Sequence, residues 1–175
     1  MRFAPLEIAD TILIDVEPRS DERGMFARVF SEEEYAAQRL PTHFPQCSTS
    51  FNYRRGTIRG LHYQRKPYEE AKVVRCTRGS VFDVIVDLRR DSLTFRHWVG
   101  FELTEDNRRS VFVPAGVAHG FQTLSDNAEV YYQISTPYVP EAACGVRWDD
   151  PAIGVQWPLP VSVVSSRDAS WPTLA

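Results

Sequence analysis

The side chains best suited to proton chemistry fall in three short stretches. His62 lies in "RGLHYQ" (59–64), Lys72 in "AKVVRC" (71–76) and Tyr132 in "AEVYYQIS" (128–135). Each stretch is short and rich in β-branched or aromatic residues, and reads as a strand whose side chains alternate between two faces. In the third, Ala128, Val130, Tyr132 and Ile134 form the apolar face, which points Tyr132 inward and Tyr131 away. In the second, Lys72 shares a face with Val74 and Cys76. An ammonium on an inward apolar stripe is costly unless it is paired or used. In the first, strict alternation groups His62 with Ile58 and Gly60. His62, Lys72 and Tyr132 are therefore expected to face one interior. An imidazole, with an ordinary pKa of about 6.5, can take a proton. A phenol, ordinarily near 10, can give one. A fixed cation can hold an oxyanion. Singly, each residue has a plainer reading: a hydrogen-bonded core histidine, a lysine snorkelling at a rim, a core aromatic.

A second histidine, His119, stands in "VPAGVAHGF" (113–121). The pattern Pro114-x-Gly116-x-x-His119 resembles the turn that delivers a histidine to the mouth of a cupin barrel, often as a metal ligand. Such a metal site also needs two alternating histidines and a glutamate. Here Gln64 occupies the place of the second histidine, and Glu69 lies in a proline-containing loop. Two histidines and one doubtful carboxylate make a poor transition-metal site. No bound metal is expected.

The elements that must position these groups are mostly strands. "TILIDV", "MFARVF", "GTIRGLHY", "AKVVRCT", "SVFDVIVDL", "HWVGFEL", "RSVFVP" and "AEVYYQIS" are separated by Gly, Pro, Asn or Asp. Phe82, Val84, Val86 and Leu88 form one apolar face. One helix is predicted in "SEEEYAAQRL", opened by a capping box of Ser31 and Glu34. The pattern predicts a mostly β sandwich or barrel of the jelly-roll kind, with few short helices. Pro151, Pro158, Pro160 and Pro172 predict an extended C-terminal segment laid over it. With 175 residues, one domain over 1–175 is expected. A net charge of −3 suggests neither a nucleic-acid nor a membrane partner. Cys47, Cys76 and Cys144 form neither a disulfide framework nor a zinc pattern, which fits a reducing cytoplasm. No signal peptide or membrane-spanning run is expected.

The strings "RGLHYQ", "AKVVRC", "VFDVIVDLR", "VPAGVAHGFQTLSD", "AEVYYQIS" and "WDDPAIGVQWP", in that order, resemble the dTDP-4-dehydrorhamnose 3,5-epimerase family of nucleotide-sugar epimerases. "DERGMF" near the start and "SSRD" near the end match as well. The resemblance covers nearly the whole chain. It implies a cupin-like jelly-roll barrel, a homodimer, no metal or organic cofactor, and a cytoplasmic role in making deoxysugars. It implies that His62 is the general base, Asp168 the carboxylate orienting it, Lys72 the cation near the carbonyl oxygen and Tyr132 the proton donor on the opposite face. Arg23, Gln46, Arg59 and His119 match positions that hold the sugar or diphosphate. Tyr138 matches an aromatic near the site, and Arg167 stands where the family has a lysine beside the final aspartate.

The match breaks in places. Arg28 and Ala143 replace glutamates, and Cys47 and Ser48 follow Gln46 where the family has Asp and Asn. None of these touches the base, the acid or the cation, so the reaction type is firmer than the substrate. The resemblance implies inversion at C3 and C5 of a dTDP-linked 4-keto-6-deoxyhexose. Inversion at one carbon, on a dTDP-, CDP- or GDP-linked sugar, is the alternative, and a non-catalytic sugar-binding cupin a more distant one. Arg59 poses its own problem, because alternation puts it on the face opposite His62. A bulge at Gly60 would resolve this; otherwise Arg59 serves from the rim or across a dimer interface.

Overall fold

The structure, a computed structural model, describes residues 1–174. Along the chain run β1 (Arg2–Pro5), β2 (Ile12–Asp15), β3 (Arg19–Asp21), β4 (Gly24–Phe26), α1 (Glu32–Ala37), β5 (Gln46–Asn52) and β6 (Thr57–Gln64). Then follow β7 (Lys72–Arg78), β8 (Ser80–Asp87), β9 (Trp98–Thr104), β10 (Ser110–Val113), β11 (Val117–Thr123) and β12 (Ala128–Ile134). β13 (Ala143–Gly145), β14 (Val163–Val164) and α2 (Ser166–Ala169) complete the chain. One sheet has the order β1-β2-β10-β7-β12-β5. The other has the order β13-β6-β11-β8-β9, and β14 joins β6 in parallel. β3 and β4 form a separate hairpin. The result is the expected mostly β jelly-roll barrel. Non-neighbouring strands pair, as β2 with β10 and β6 with β11, so each sheet is knitted from distant parts of the chain.

Alternation along the strands builds the interior. Val74, Cys76 and Val130 from one sheet meet Val81, Ile85 and Phe121 from the other, and Tyr132 packs on the border of this cluster. On β8 the predicted apolar face forms and lies on the outside of the barrel. Phe82, Val84, Val86 and Leu88 lie under Val146, Ile153, Val155 and Trp157 of the C-terminal segment. The Gln122 side chain clamps that segment, donating to Leu159 O and accepting from Leu159 N at 2.8 and 3.0 Å. The opposite face of β8 therefore looks into the barrel, and it carries Asp83.

Two local expectations are corrected. The strand expected over "MFARVF" ends at Phe26, and 27–30 leave the sheet. The helix forms with Ser31 at its N-cap, but the capping box does not, because the Ser31 side chain makes no capping hydrogen bond. Glu34 instead takes the N-terminal ammonium of Met1 at 2.6 Å and Arg28 at 3.1 Å. Two charged partners outcompete one backbone N–H for the carboxylate. The helix stops early because Arg39 turns into the left-handed region (φ 59), which lets Leu40 N donate to Tyr35 O.

The bulge at Gly60 is present. His119 pairs with His62 and Phe121 with Arg59, so β6 advances three residues while β11 advances two. Gly60 has φ +146, and a Cβ there would lie 2.6 Å from Gly120 Cα. Backbone cannot yield as a side chain can. Gly60→Ala is therefore expected to lower unfolding stability by about 2–3 kcal/mol, read from urea denaturation. A variant with an unchanged midpoint would show that this bulge tolerates a Cβ.

Candidate active site

Between the sheets opens a cavity of about 310 Å³, within the size range of small-molecule sites. The bulge decides what faces it. Arg59 lines the cavity beside His62, whereas Ile58, expected to share His62's face, is buried outside it. The bulge thus turns both Arg59 and His62 to the cavity, which strict alternation forbids.

His62 Nε2 donates to Asp168 Oδ1 at 2.7 Å. An ionised carboxylate only accepts, so this bond fixes the proton on Nε2 and leaves the Nδ1 lone pair free as a base. Asp168 is itself held from several sides. Its Oδ1 also accepts from Trp171 Nε1 at 3.3 Å and its Oδ2 from Gly60 N at 3.4 Å. Its backbone N–H is capped by Ser165 Oγ, which sets the short α2 against β6. Burial alone pushes this carboxyl's pKa up, but the hydrogen bond and charge of His62, with the Gly60 and Trp171 bonds, hold it below the ordinary value of 3.8. A depressed folded value means the pair's stabilisation is complete above the ordinary value of 3.8 and is lost as pH falls from there through the folded value. Asp168→Asn should therefore flatten the loss of stability below about pH 4, seen as a shallower fall of Tm with acid. It should also cut turnover by about 10²–10⁴-fold, since an amide no longer enforces the tautomer.

From the facing sheet, β7 delivers Lys72 and β12 delivers Tyr132 to the same cavity. Lys72 is buried among apolar neighbours, and its Nζ lies 2.8 Å from Glu70 Oε1. Tyr132 stands edge-on to His119, with ring centroids 6.1 Å apart. Burial pushes the Tyr132 phenol well above its ordinary 10, and the charge of Asp83 adds to this. Arg59 and a hydrogen bond with Ser50 oppose the shift without cancelling it.

His119 is the third residue of β11 rather than part of the turn that precedes it. Its Nε2 donates to Asp83 Oδ2 at 2.8 Å, and Asp83 is wholly buried. Burial pushes the Asp83 pKa up, and His119 is the group that opposes this. Two histidine–aspartate pairs thus stand side by side, since His62 and His119 are cross-strand partners.

The mouth holds Gln46, Tyr138 and Arg167. Gln46 Oε1 accepts from Tyr138 N at 3.1 Å, and Arg167 lies over the Trp171 ring, 5.1 Å from its centroid. Arg59 Nε donates to Asn52 Oδ1 at 2.7 Å. Arg23 is the exception. It sits at the tip of the β3–β4 hairpin, pairs with Asp21 and has a side chain 83% exposed, outside the cavity. Gln64 is a strut, tied to Tyr68 O, Pro137 O and Val139 N. Glu69 lines a different groove. Among the described residues no three His, Cys, Asp or Glu groups gather as metal ligands, and no helix is long and apolar enough to cross a membrane.

The family profile of dTDP-4-dehydrorhamnose 3,5-epimerase matches residues 5–175. The chain belongs to this family. It is 42% identical over 175 residues to the dTDP-4-dehydrorhamnose 3,5-epimerase of Sinorhizobium fredii, covering 99% of this chain and 90% of the relative. It is 38% identical to the dTDP-4-dehydrorhamnose 3-epimerase of Streptomyces niveus, covering 96% and 81%. A crystal structure of the Bacillus anthracis 3,5-epimerase with TDP and PPi bound superposes with a TM-score of 0.96 at 34% identity, covering 99% of both chains. Within this epimerase, the replaced positions divide. Ser48, Ala143 and Arg167 line the cavity. Cys47 is exposed and does not line the cavity, and Arg28 pairs with Glu34 outside it.

Sequence reading missed four supporting residues. Glu70 lies on the parity of Lys72, and Asp83 interrupts the apolar run "SVFDVIVDL" on its inward face, so both had a signal in the alternation. Asn52 and Trp171 come together with Arg59 and Asp168 only through tertiary packing.

Proposed function

We propose that the protein inverts C3 and C5 of dTDP-4-dehydro-6-deoxyglucose, giving dTDP-4-dehydrorhamnose. The observation that carries this reading is the placement of His62 on one sheet and Tyr132 on the facing sheet, with Lys72 lining the same cavity. The C4 ketone of such a sugar acidifies the hydrogens on C3 and C5. His62 Nδ1 takes one of them, and the ring charge is shared with Asp168. Lys72 holds the enolate oxygen, and Tyr132 returns a proton to the other face. No redox step occurs, so the chemistry asks for no electron carrier. Arg59, Arg167 and Tyr138 suit the diphosphate and the base at the mouth.

The protein acts as a homodimer in the cytoplasm on this reading. Arg23 matches a substrate-holding position yet lies outside its own cavity, on a hairpin with Met25 and Phe26 exposed. A second copy seated on that hairpin would receive Arg23 at its cavity mouth. Ser48, Ala143 and Arg167 at the cavity wall, with a relative named as a 3-epimerase, favour a second reading in which only one carbon is inverted. Turnover of dTDP-4-dehydro-6-deoxyglucose in D₂O separates the two. Deuterium at both carbons supports the first reading and deuterium at one supports the second. No deuterium at either carbon overturns both.

A further inference from the structure

Glu70 is the one carboxylate among the described residues that line the cavity, since Asp83 and Asp168 stand behind their histidines. The other charged groups there are Arg59, Lys72 and Arg167, which suit a diphosphate. A carboxylate near a diphosphate repels it, so Glu70 must serve the uncharged part of the ligand. Its side chain is 8% exposed and that of Lys72 is 11% exposed. A buried ion pair alone gains little, because desolvation offsets the attraction. Among the described residues Lys72 is the only partner of the Glu70 carboxylate. A carboxylate offers about four acceptor sites, so several remain to face the cavity.

We propose that Glu70 binds substrate directly, accepting a hydrogen bond from the hydroxyl on the carbon next to the ketone. This rests on the epimerase reading and deepens it. With Lys72 Nζ on the C4 oxygen, Glu70 Oε1 stands 2.8 Å from that nitrogen. The neighbouring oxygens of an α-hydroxy ketone are spaced like a hydrogen-bonded pair. A donor and an acceptor held side by side therefore match the ketone oxygen and the C3 hydroxyl together. The pair reads a specific two-oxygen unit, and Glu70 draws part of its hydrogen-bonding capacity from Lys72 to the sugar as the ligand enters. The carboxylate is a substrate-specificity group for the C3 hydroxyl, with a secondary part in placing Lys72.

The test compares two substrates, dTDP-4-keto-6-deoxyglucose and its 3-deoxy analogue, by deuterium incorporation at C5 in D₂O. Wild type is expected to prefer the hydroxylated substrate by about 10–150-fold in kcat/KM, the range for a hydrogen bond to a charged group. Glu70→Ala should lose most of this preference by raising KM for the hydroxylated substrate, while the analogue is less affected. Glu70→Gln, which keeps the shape and one acceptor, should restore part of the discrimination. Equal loss on both substrates in both variants overturns the proposal and leaves Glu70 a positioning residue for Lys72. So does a wild type that treats the two substrates alike. No exchange at C5 by wild type on either substrate instead overturns the two-carbon epimerase reading beneath it.

Discussion

Lys72→Ala is expected to lower kcat by about 10³-fold, close to the loss from His62→Ala. The reason is the size of the barrier. A simple ketone's α-hydrogen is roughly a dozen pKa units less acidic than an imidazolium, a gap of about 16 kcal/mol. A positioned general base contributes typically 10²–10⁴-fold, or about 3–5 kcal/mol. The larger part must come from stabilising the enolate, and Lys72 is the cation that β7 holds in the cavity beside Glu70. The low-dielectric wall formed by Ile134 and Phe121 strengthens that charge relative to water. Removing Lys72 also strands Glu70, so Tm must be measured with rate. Lys72→Gln keeps a donor for Glu70 without the charge. A rate loss shared by both variants, with Tm near wild type for the glutamine, locates the effect at the developing oxyanion. Near-normal turnover by Lys72→Ala would sink the mechanism.

The parts of the site that follow strand alternation were legible in the sequence. Lys72 with Val74 and Cys76, and Tyr132 with Val130, fall on inward faces as the period of two requires. Arg59 was ambiguous because one inserted residue reverses every face beyond it, and only the paired register on β11 shows where the insertion lies. The outward turn of Phe82, Val84 and Val86 was hidden for a related reason. Both faces of β8 are buried, one by the barrel and one by the C-terminal segment, so apolarity alone does not say which is inside. Asp168 came from the family resemblance, since in "SSRD" it reads as a turn or cap residue and its bond to His62 spans 106 positions. Arg23 shows the reverse case. Its match to the family is local, but its place relative to the cavity depends on a hairpin that projects from the barrel.

Tyr132→Phe should separate proton removal from inversion. On the proposed mechanism His62 and Lys72 remain, so the C–H bond is expected still to break. The His62 side chain is 41% exposed, and its captured proton can exchange with solvent before it returns. The variant should therefore put deuterium into recovered substrate at a rate within about tenfold of wild type, while product formation falls by about 10²–10⁴-fold. The phenol suits the donor role for a physical reason. Burial and the charge of Asp83 push its pKa above the ordinary 10, so it keeps its proton through neutral and mildly alkaline pH. The same burial makes the tyrosinate costly once the proton has gone, so the return of that proton needs the opposing pull of Arg59 and Ser50 on the anion. Phenylalanine keeps the ring's packing edge-on to His119 and removes only the hydroxyl, so the fold should stand. Exchange and inversion falling together in a folded variant would mean that Tyr132 is needed to form the enolate. Inversion at the wild-type rate would mean that another group delivers the proton to the far face.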